Sequence, residues 1–156
     1  MNAPNTLEIY TDGAARGNPG PGGYGVVMIW KGIRKEMQAG YRLTTNNRME
    51  LLAAIVALES LTRDGVNVVL YTDSKYLVDA VEQKWVFGWV RTRFKNKKNR
   101  DLWLRFLEVY KKHNVRLVWV KGHASNAGNN RCDELATEAA DKWPVHVDEW
   151  YEQNRE

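Results

Sequence analysis

Residues 67–74 read Asn-Val-Val-Leu-Tyr-Thr-Asp-Ser, an apolar run that ends in an aspartate and a small residue. The run predicts a buried strand over 67–72, and Ser74 is a typical N-cap for a following helix. Residues 7–13, Leu-Glu-Ile-Tyr-Thr-Asp-Gly, end in the same way and predict a second strand over 7–11. If these strands are parallel neighbours, Asp12 and Asp73 emerge at the same sheet edge, where α/β sheets place their chemistry.

The two halves of the chain around these strands have different periodicity. The first half predicts an antiparallel meander, with a turn-rich loop over 13–23 and strands Tyr24–Trp30 and Arg34–Leu43. The second half alternates strands with helices, which implies right-handed crossovers and parallel pairing. We therefore predict an α/β domain with a mixed five-stranded sheet. Its later elements are helix Met49–Leu61, a helix after Ser74, a helix over 102–110, strand Val115–Val120 and helix Asn130–Lys142.

Length and composition limit the class of protein. A chain of 156 residues suits one domain, which we expect over 1–143, followed by a loosely ordered polar tail over 144–156. The single cysteine, Cys132, excludes an internal disulfide and favours a reducing cytoplasm. No apolar run reaches membrane-spanning length, and the first residues lack the pattern of a signal peptide. We expect a cytoplasmic monomer with no membrane partner.

The positive charge is concentrated in one stretch. The net charge is +4, but residues 83–100 hold seven basic side chains and no acid, so the rest of the chain carries −3. A basic face on a mildly acidic body is typical of a protein that binds a polyanion. The alternative is a solvated surface, which the aromatic residues in and near the stretch make less favourable. The basic residues are Lys84, Arg91, Arg93, Lys95, Lys97, Lys98 and Arg100.

Further acids and a histidine extend the pattern of Asp12 and Asp73, each of which alone could simply open a turn or cap a helix. Glu50 lies in the first helical turn after the meander, with alanines on its face that allow close packing on the sheet. A capping box with Asn47 explains Glu50 about as well as catalysis does. Asp133 is expected to open the last helix, and His123 follows a buried strand on a glycine-flanked loop that suits a proton carrier.

Four clustered carboxylates without a Cys/His core favour Mg²⁺ or Mn²⁺ over zinc. Four like charges held together would repel each other, and two divalent cations relieve that repulsion. Two ions can activate a water on one side of a phosphate and stabilise the leaving oxygen on the other. We therefore expect a magnesium-dependent nuclease, with two ions when substrate is bound and Mn²⁺ as a substitute.

Six motifs resemble bacterial ribonuclease HI, a type 1 ribonuclease H. They lie in that family's order and with close to its spacing, from about Leu7 to Lys142, and the six together are far more specific than any one alone. They are Tyr-Thr-Asp-Gly-Ala (10–14), Gly-Asn-Pro-Gly-Pro-Gly-Gly-Tyr-Gly (17–25), Thr-Thr-Asn-Asn-Arg-Met-Glu-Leu (44–51), Thr-Asp-Ser-Lys-Tyr (72–76), Trp-Val-Lys-Gly-His (119–123) and Arg-Cys-Asp-Glu-Leu-Ala (131–136).

The resemblance implies a fold, an activity and a role for each site residue. The implied fold is ribonuclease H-like, with strand order 3-2-1-4-5, strands 1–3 antiparallel and helices on both faces. The implied activity is endonucleolytic hydrolysis of the RNA strand of RNA–DNA hybrids, leaving 5′-phosphate and 3′-hydroxyl ends. The implied metal ligands are Asp12, Glu50, Asp73 and Asp133, and His123 is implied to assist product release. The implied substrate contacts are those of Asn18, Asn46 and Asn47 with the minor groove and of Trp85 and Trp103 with the DNA-strand channel. The resemblance also implies that residues 84–100 form a basic protrusion.

Four departures concern substrate grip. Lys75 replaces a glutamine that touches the hybrid in many relatives, and the protrusion is several residues shorter. The family's phosphate pocket uses a threonine, an arginine and an asparagine. Thr45 matches, whereas we align Leu43 with the arginine and Gly88 with the asparagine. Arg42 could substitute only if the strand ends before it; otherwise Lys75 or Arg91 is the better candidate.

Two other classes of protein remain as alternatives. A non-catalytic hybrid-binding module would be favoured by loss of a carboxylate, but all four and the histidine are present. Other nucleases of the same superfamily include integrases and resolvases, which lack the Gly-Asn-Pro-Gly and Gly-His loops. A retroelement ribonuclease H domain usually belongs to a larger polyprotein, whereas this chain begins with Met.

Overall fold

A computed structural model describes residues 5–121 and 126–155. A five-stranded sheet has the order β3-β2-β1-β4-β5. β2 is antiparallel to β1 and β3, whereas β4 is parallel to β1 and β5, which confirms the expected order and directions. The elements are β1 (Leu7–Ala15), β2 (Gly20–Trp30), β3 (Ile33–Thr44), α1 (Asn46–Glu59), β4 (Asn67–Thr72), α2 (Lys75–Glu82), α3 (Trp85–Arg91), α4 (Arg100–Tyr110), β5 (Asn114–Trp119), α5 (Ala127–Lys142) and α6 (Glu149–Asn154).

The repeated Tyr-Thr-Asp motif lies on two neighbouring strands, as predicted. Tyr10 on β1 is the register partner of Tyr71 on β4, and their rings stack with centroids 4.8 Å apart. Since Asp12 and Asp73 each follow two residues later, the parallel pairing brings both aspartates to one edge of the sheet.

Helices cover both faces of the sheet. Ile9 and Val26 are fully buried in the larger core with α1, whereas Val27 packs with Cys132 and Leu135 of α5. Successive strand residues point to opposite faces, so neighbouring Val26 and Val27 contact different helices. Within the described ranges, no helix combines the length and apolar character needed to cross a membrane.

Most of the long loop that we expected over 13–23 is strand, and two glycines of β2 pack against a helix. β1 and β2 remain paired as far as Ala15 and Gly22, and only residues 16–19 lie between the strands. An added Cβ at Gly23 would lie 2.5 Å from the Ala136 carbonyl oxygen, and one at Gly25 would lie 2.4 Å from that of Cys132. These glycines therefore allow α5 to approach the sheet closely.

The expectation of a loosely ordered tail over 144–156 is wrong for the residues that the structure describes. Residues after 144 return to the domain, where the His146 carbonyl accepts a hydrogen bond from the Arg42 backbone, and then form α6. Asp148 is buried and accepts bonds from the Thr44 hydroxyl at 2.8 Å and Arg48 Nε at 2.7 Å. This segment is ordered because it supplies the counter-charge that buried Arg48 needs.

The basic stretch contains a helix that its sequence did not predict. Val86 of α3 and Phe94 are buried, while the seven basic side chains of residues 84–100 are all exposed. Left-handed backbone at Arg93, Phe94 and Asn96 turns the chain tightly between α3 and α4. The stretch thus has its own apolar anchor beneath a charged surface.

Candidate active site

Three of the four predicted metal ligands form a compact cluster. Each of Asp12, Glu50 and Asp73 offers a carboxylate oxygen, and these oxygens all lie within 4.8 Å of one another. Asp12 lies in β1, Asp73 directly follows β4, and Glu50 lies in the first turns of α1. The sheet register and one helix therefore bring together acids that are far apart in sequence.

Contacts with the sheet, and not helix capping, fix the orientation of Glu50. Its Oε1 accepts a bond from the Gly13 backbone N–H, and its Oε2 accepts one from the Thr72 hydroxyl at 3.4 Å. The N-cap of α1 is Thr45, whose hydroxyl accepts from the Arg48 N–H, so the capping-box alternative with Asn47 is wrong. A Cβ at Gly13 would lie 2.3 Å from the Glu50 nitrogen, which explains a glycine after Asp12.

Burial and mutual repulsion make the cluster costly without a cation. Burial is the main cause that raises the pKa of Asp12 to about 7, and the charge of Asp73 raises it further while a hydrogen bond with Glu50 opposes the change. Burial is likewise the main cause that raises the pKa of Glu50 well above its ordinary value. A set of hard oxygen donors with this excess of negative charge fits a divalent cation.

Asp133 lies near this cluster without joining it. It lines the same open cavity of about 340 Å³, here called the acidic cavity, together with Asp12, Glu50 and Asp73. The expectation that Asp133 opens the last helix is wrong, because α5 begins at Ala127 with Asn126 as its N-cap. Helix capping therefore does not account for Asp133. His123 lies outside the described residues.

Two of the three predicted substrate amides border the acidic cavity, and the third, Asn18, braces one of them. The Asn18 side-chain oxygen accepts from the Asn46 backbone, and the Asn46 side-chain oxygen accepts from the Ala15 backbone. Asn46 and Asn47 are exposed and line the cavity. The bonded oxygens hold the loop and the start of α1 in place, while the amide NH₂ groups can donate to a ligand.

A second cavity, the aromatic cavity, lies between the cluster and the basic stretch. It measures about 360 Å³ and is lined by Trp85, Trp89 and Lys75, with Asn47 shared with the acidic cavity. Trp85 is 48% exposed and can stack on a ligand. The expectation for Trp103 is wrong: it is fully buried, and its Nε1 donates to the Tyr76 hydroxyl at 2.8 Å.

The sequence alignment of the phosphate pocket also needs correction. Gly88 lies in α3 and outside the cavity that holds Thr45, whereas Asn99, immediately before α4, is one of four asparagines in the lining of that cavity. Arg42 lies inside β3 and pairs with Glu152 at 2.8 Å, so the strand does not end before it. Asn99 was missed although it directly precedes α4; its left-handed φ of 66° shows that it ends the tight turns of the basic stretch.

Comparisons of sequence agree with this geometry. The profile of the RNase H family matches residues 4–141. The Ribonuclease H of Desulforamulus reducens is 56% identical over 139 residues, which cover 86% of this chain and 87% of that protein. The Ribonuclease HI of Synechocystis sp. is 47% identical over 156 residues, covering 96% of this chain and 97% of that protein.

Solved structures agree as well. LC9-RNase H1, a type 1 RNase H with the type 2 active-site motif, superimposes with a TM-score of 0.80 at 30% identity, covering 94% of this chain and 81% of that chain. LC11-RNase H1 in complex with an RNA/DNA hybrid gives a TM-score of 0.66 at 30% identity, covering 87% of this chain and 97% of that chain.

Proposed function

The chain belongs to the ribonuclease H family, and on this premise we propose that it hydrolyses the RNA strand of RNA–DNA hybrids, leaving 5′-phosphate and 3′-hydroxyl ends. The observation that carries the proposal is the cluster of Asp12, Glu50 and Asp73, which lies where the parallel pairing of β1 and β4 ends and α1 packs against the sheet. A related enzyme with this fold, LC11-RNase H1, has been solved with an RNA/DNA hybrid, which supports the same substrate here.

The cluster is a divalent-metal site, and we propose Mg²⁺ as the ion, two of them with substrate bound and Mn²⁺ as a substitute. Asp12, Glu50 and Asp73 would hold the metal, and Asp133 at the same cavity would add a fourth carboxylate. When bound, the ions supply positive charge for the attacking water and for the leaving oxygen. The bonds from Gly13 and Thr72 orient the Glu50 carboxylate toward this position.

The surrounding side chains bind and orient the substrate. Asn18, Asn46 and Asn47 donate toward base edges and 2′-hydroxyls in the minor groove, which distinguishes RNA from DNA. Lys75 and Trp85 contact the backbone and sugars alongside. The exposed cations of residues 84–100 add affinity through phosphates. His123 carries a proton during product release.

Domain organisation, assembly and location complete the proposal. We assign catalysis to a single domain over 1–143, including the basic protrusion, with the segment after 143 packed onto that domain. We propose that the protein works as a monomer. The single, buried Cys132 supports a reducing cytoplasmic location. The alternative of a non-catalytic hybrid-binding module predicts binding without cleavage, so a direct assay distinguishes the two.

The test is cleavage of labelled duplexes by the purified protein. An RNA–DNA hybrid, a duplex RNA and a duplex DNA are incubated with and without Mg²⁺, and Asp73→Asn serves as the inactive control. We expect Mg²⁺-dependent cleavage of the hybrid RNA strand, with both other duplexes cut far more slowly. Binding of the hybrid without cleavage, or equal rates on duplex RNA, would contradict the proposal.

A further inference from the structure

A third cavity, the basic cavity, lies between α6 and the basic stretch and measures about 400 Å³. The cations in its lining are Lys97, Lys98 and Arg155, and the lining contains no acidic side chain. Four amides, the Thr45 hydroxyl and two aromatic rings make up most of the remaining wall. A cavity with positive charge and many hydrogen-bond donors suits a phosphate group.

The basic cavity and the acidic cavity are neighbours of opposite charge. Asn47 lines both, at the start of α1. A ligand that spans them must present one negative group to bound metal and another to Lys97, Lys98 and Arg155. A nucleic-acid backbone, with a phosphate at every nucleotide, meets that requirement.

α6 is held firmly enough to form a binding wall. Asp148, its N-cap, pairs with fully buried Arg48, whose guanidinium also lies 5.2 Å from the Trp150 ring centroid. Glu152 forms two bonds to Arg42 on β3. Arg155 directly follows this fixed helix at the mouth of the basic cavity, so the side chain starts from a defined position.

Two of the cations named for the phosphate pocket have other contacts, and the third, Arg91, is not in the described lining of the basic cavity. The arginine expected at position 43 is Leu43, and Arg42 is paired with Glu152. Lys75 lies 5.2 Å from the Trp119 ring centroid and lines the other two cavities. Arg155 is the guanidinium in the described lining of the basic cavity, and its planar fork can bind two phosphate oxygens at once.

The basic cavity holds Thr45 and Asn99, the threonine and asparagine that the family resemblance assigns to a pocket for one backbone phosphate of the hybrid. We propose that Arg155, together with Asn154, takes the place of the pocket arginine that Leu43 replaces in this chain, so that the C-terminal helix supplies part of the grip on that phosphate. The proposal rests on the proposed function, because it takes the hybrid as the ligand. It assigns to residues beyond the catalytic domain a role in substrate affinity, with no part in the chemical step.

Steady-state kinetics of single variants provide the first test. Arg155→Ala should raise KM for the hybrid by about 3- to 10-fold with kcat unchanged, since it removes one charged contact. The slope of log affinity against log salt should fall by about 0.9. Arg155→Lys should recover part of the affinity, and Asn154→Ala should show a smaller loss. Arg63→Ala, which removes an exposed arginine from the loop between α1 and β4, is the matched control.

Single methylphosphonate substitutions in the hybrid provide the second test. The measured quantity is the affinity of the protein for each substituted hybrid, in EDTA so that cleavage does not interfere. At one position, removing the phosphate charge should weaken wild-type binding by about 3- to 10-fold and leave Arg155→Ala binding unaffected. The inference is overturned if no position shows this coupling, if Arg155→Ala behaves like Arg63→Ala, or if kcat falls while KM is unchanged. Failure of the wild type to cut the hybrid would instead overturn the proposed function, and the binding assay would still test this site.

Discussion

Removal of Asp148 should destabilise the whole domain although Asp148 lies far from the catalytic cluster in sequence. Arg48 is 1% exposed, and its guanidinium donates two hydrogen bonds to Asp148 at 2.7 and 3.0 Å and two to Asp101 at 2.8 and 2.7 Å. Asp148 also accepts from the buried Thr44 hydroxyl. Asp148→Ala would therefore leave a buried cation and a buried hydroxyl each short of a partner.

The expected cost follows from these contacts. Removing one partner of a buried ion pair typically costs about 3–5 kcal/mol, because the remaining charge stays buried. Asp101, which is 21% exposed, retains its bonds and compensates part of this loss. We expect Asp148→Ala to lower the free energy of unfolding by about 2–4 kcal/mol and Tm by roughly 4–16 °C for a chain of this size.

Urea unfolding in EDTA, followed by tryptophan fluorescence and circular dichroism, measures this effect without a contribution from metal. Asp141→Ala is the matched control, because Asp141 pairs with Arg16 at 2.8 Å while both side chains are about half exposed. The control should cost about 0–1 kcal/mol. Equal stability of the two variants would refute the reasoning that the C-terminal segment is needed as the counter-charge of Arg48.

Three further predictions concern the catalytic site and the basic stretch. Asp12→Asn should reduce kcat by at least about 100-fold and stabilise the metal-free protein above pH 7, measured by hybrid cleavage and by urea unfolding in EDTA. Because the pKa of Asp12 is raised to about 7, the folded state binds more protons than the unfolded state between about pH 4 and pH 7. The free energy of unfolding of the metal-free wild type should therefore fall as pH rises through that window, by up to about 4 kcal/mol. Asp12→Asn should make this pH dependence weaker, and an unchanged pH dependence would contradict the assignment. His123→Ala should lower turnover by about 10- to 100-fold without abolishing it, and loss of metal binding measured by calorimetry would show that His123 is instead a ligand. Replacing Lys95, Lys97 and Lys98 together by Ala should raise KM while kcat stays nearly constant. The slope of log affinity against log salt should become less steep by up to about three. A fall in kcat alone would argue against a role in affinity.

The sequence predicted those features that depend on periodicity and on repeated local patterns. The matching Tyr-Thr-Asp motifs identified two parallel neighbours, and the stacked rings of Tyr10 and Tyr71 agree with that pairing. Ser74 caps α2 as expected, with its hydroxyl accepting from the Leu77 N–H. Such features are local, so their physical cause lies within a few residues of the pattern itself.

The features that were predicted wrongly depend on tertiary neighbours. Gly23 ends a stretch that is typical of a turn by composition, and only the position of α5 shows that this glycine permits close packing. Trp103 resembles a surface aromatic beside a basic stretch, but α4 turns it into the core against Trp89 and Phe106. The tail is polar, and nothing in its own composition reveals that a buried arginine lies opposite Asp148.

The start of α1 connects these separate parts of the site. Asn47, Arg48 and Glu50 are close in sequence, but a rotation of about 100° per residue points them in different directions. Asn47 borders all three cavities, Arg48 turns inward to hold α6, and Glu50 turns to the sheet and the carboxylate cluster. Because one helical turn carries all three, the cavity wall formed by α6 and the metal ligand Glu50 are fixed to the same helix. The spacing between a phosphate held in the basic cavity and the acidic cluster is therefore set by the backbone of α1.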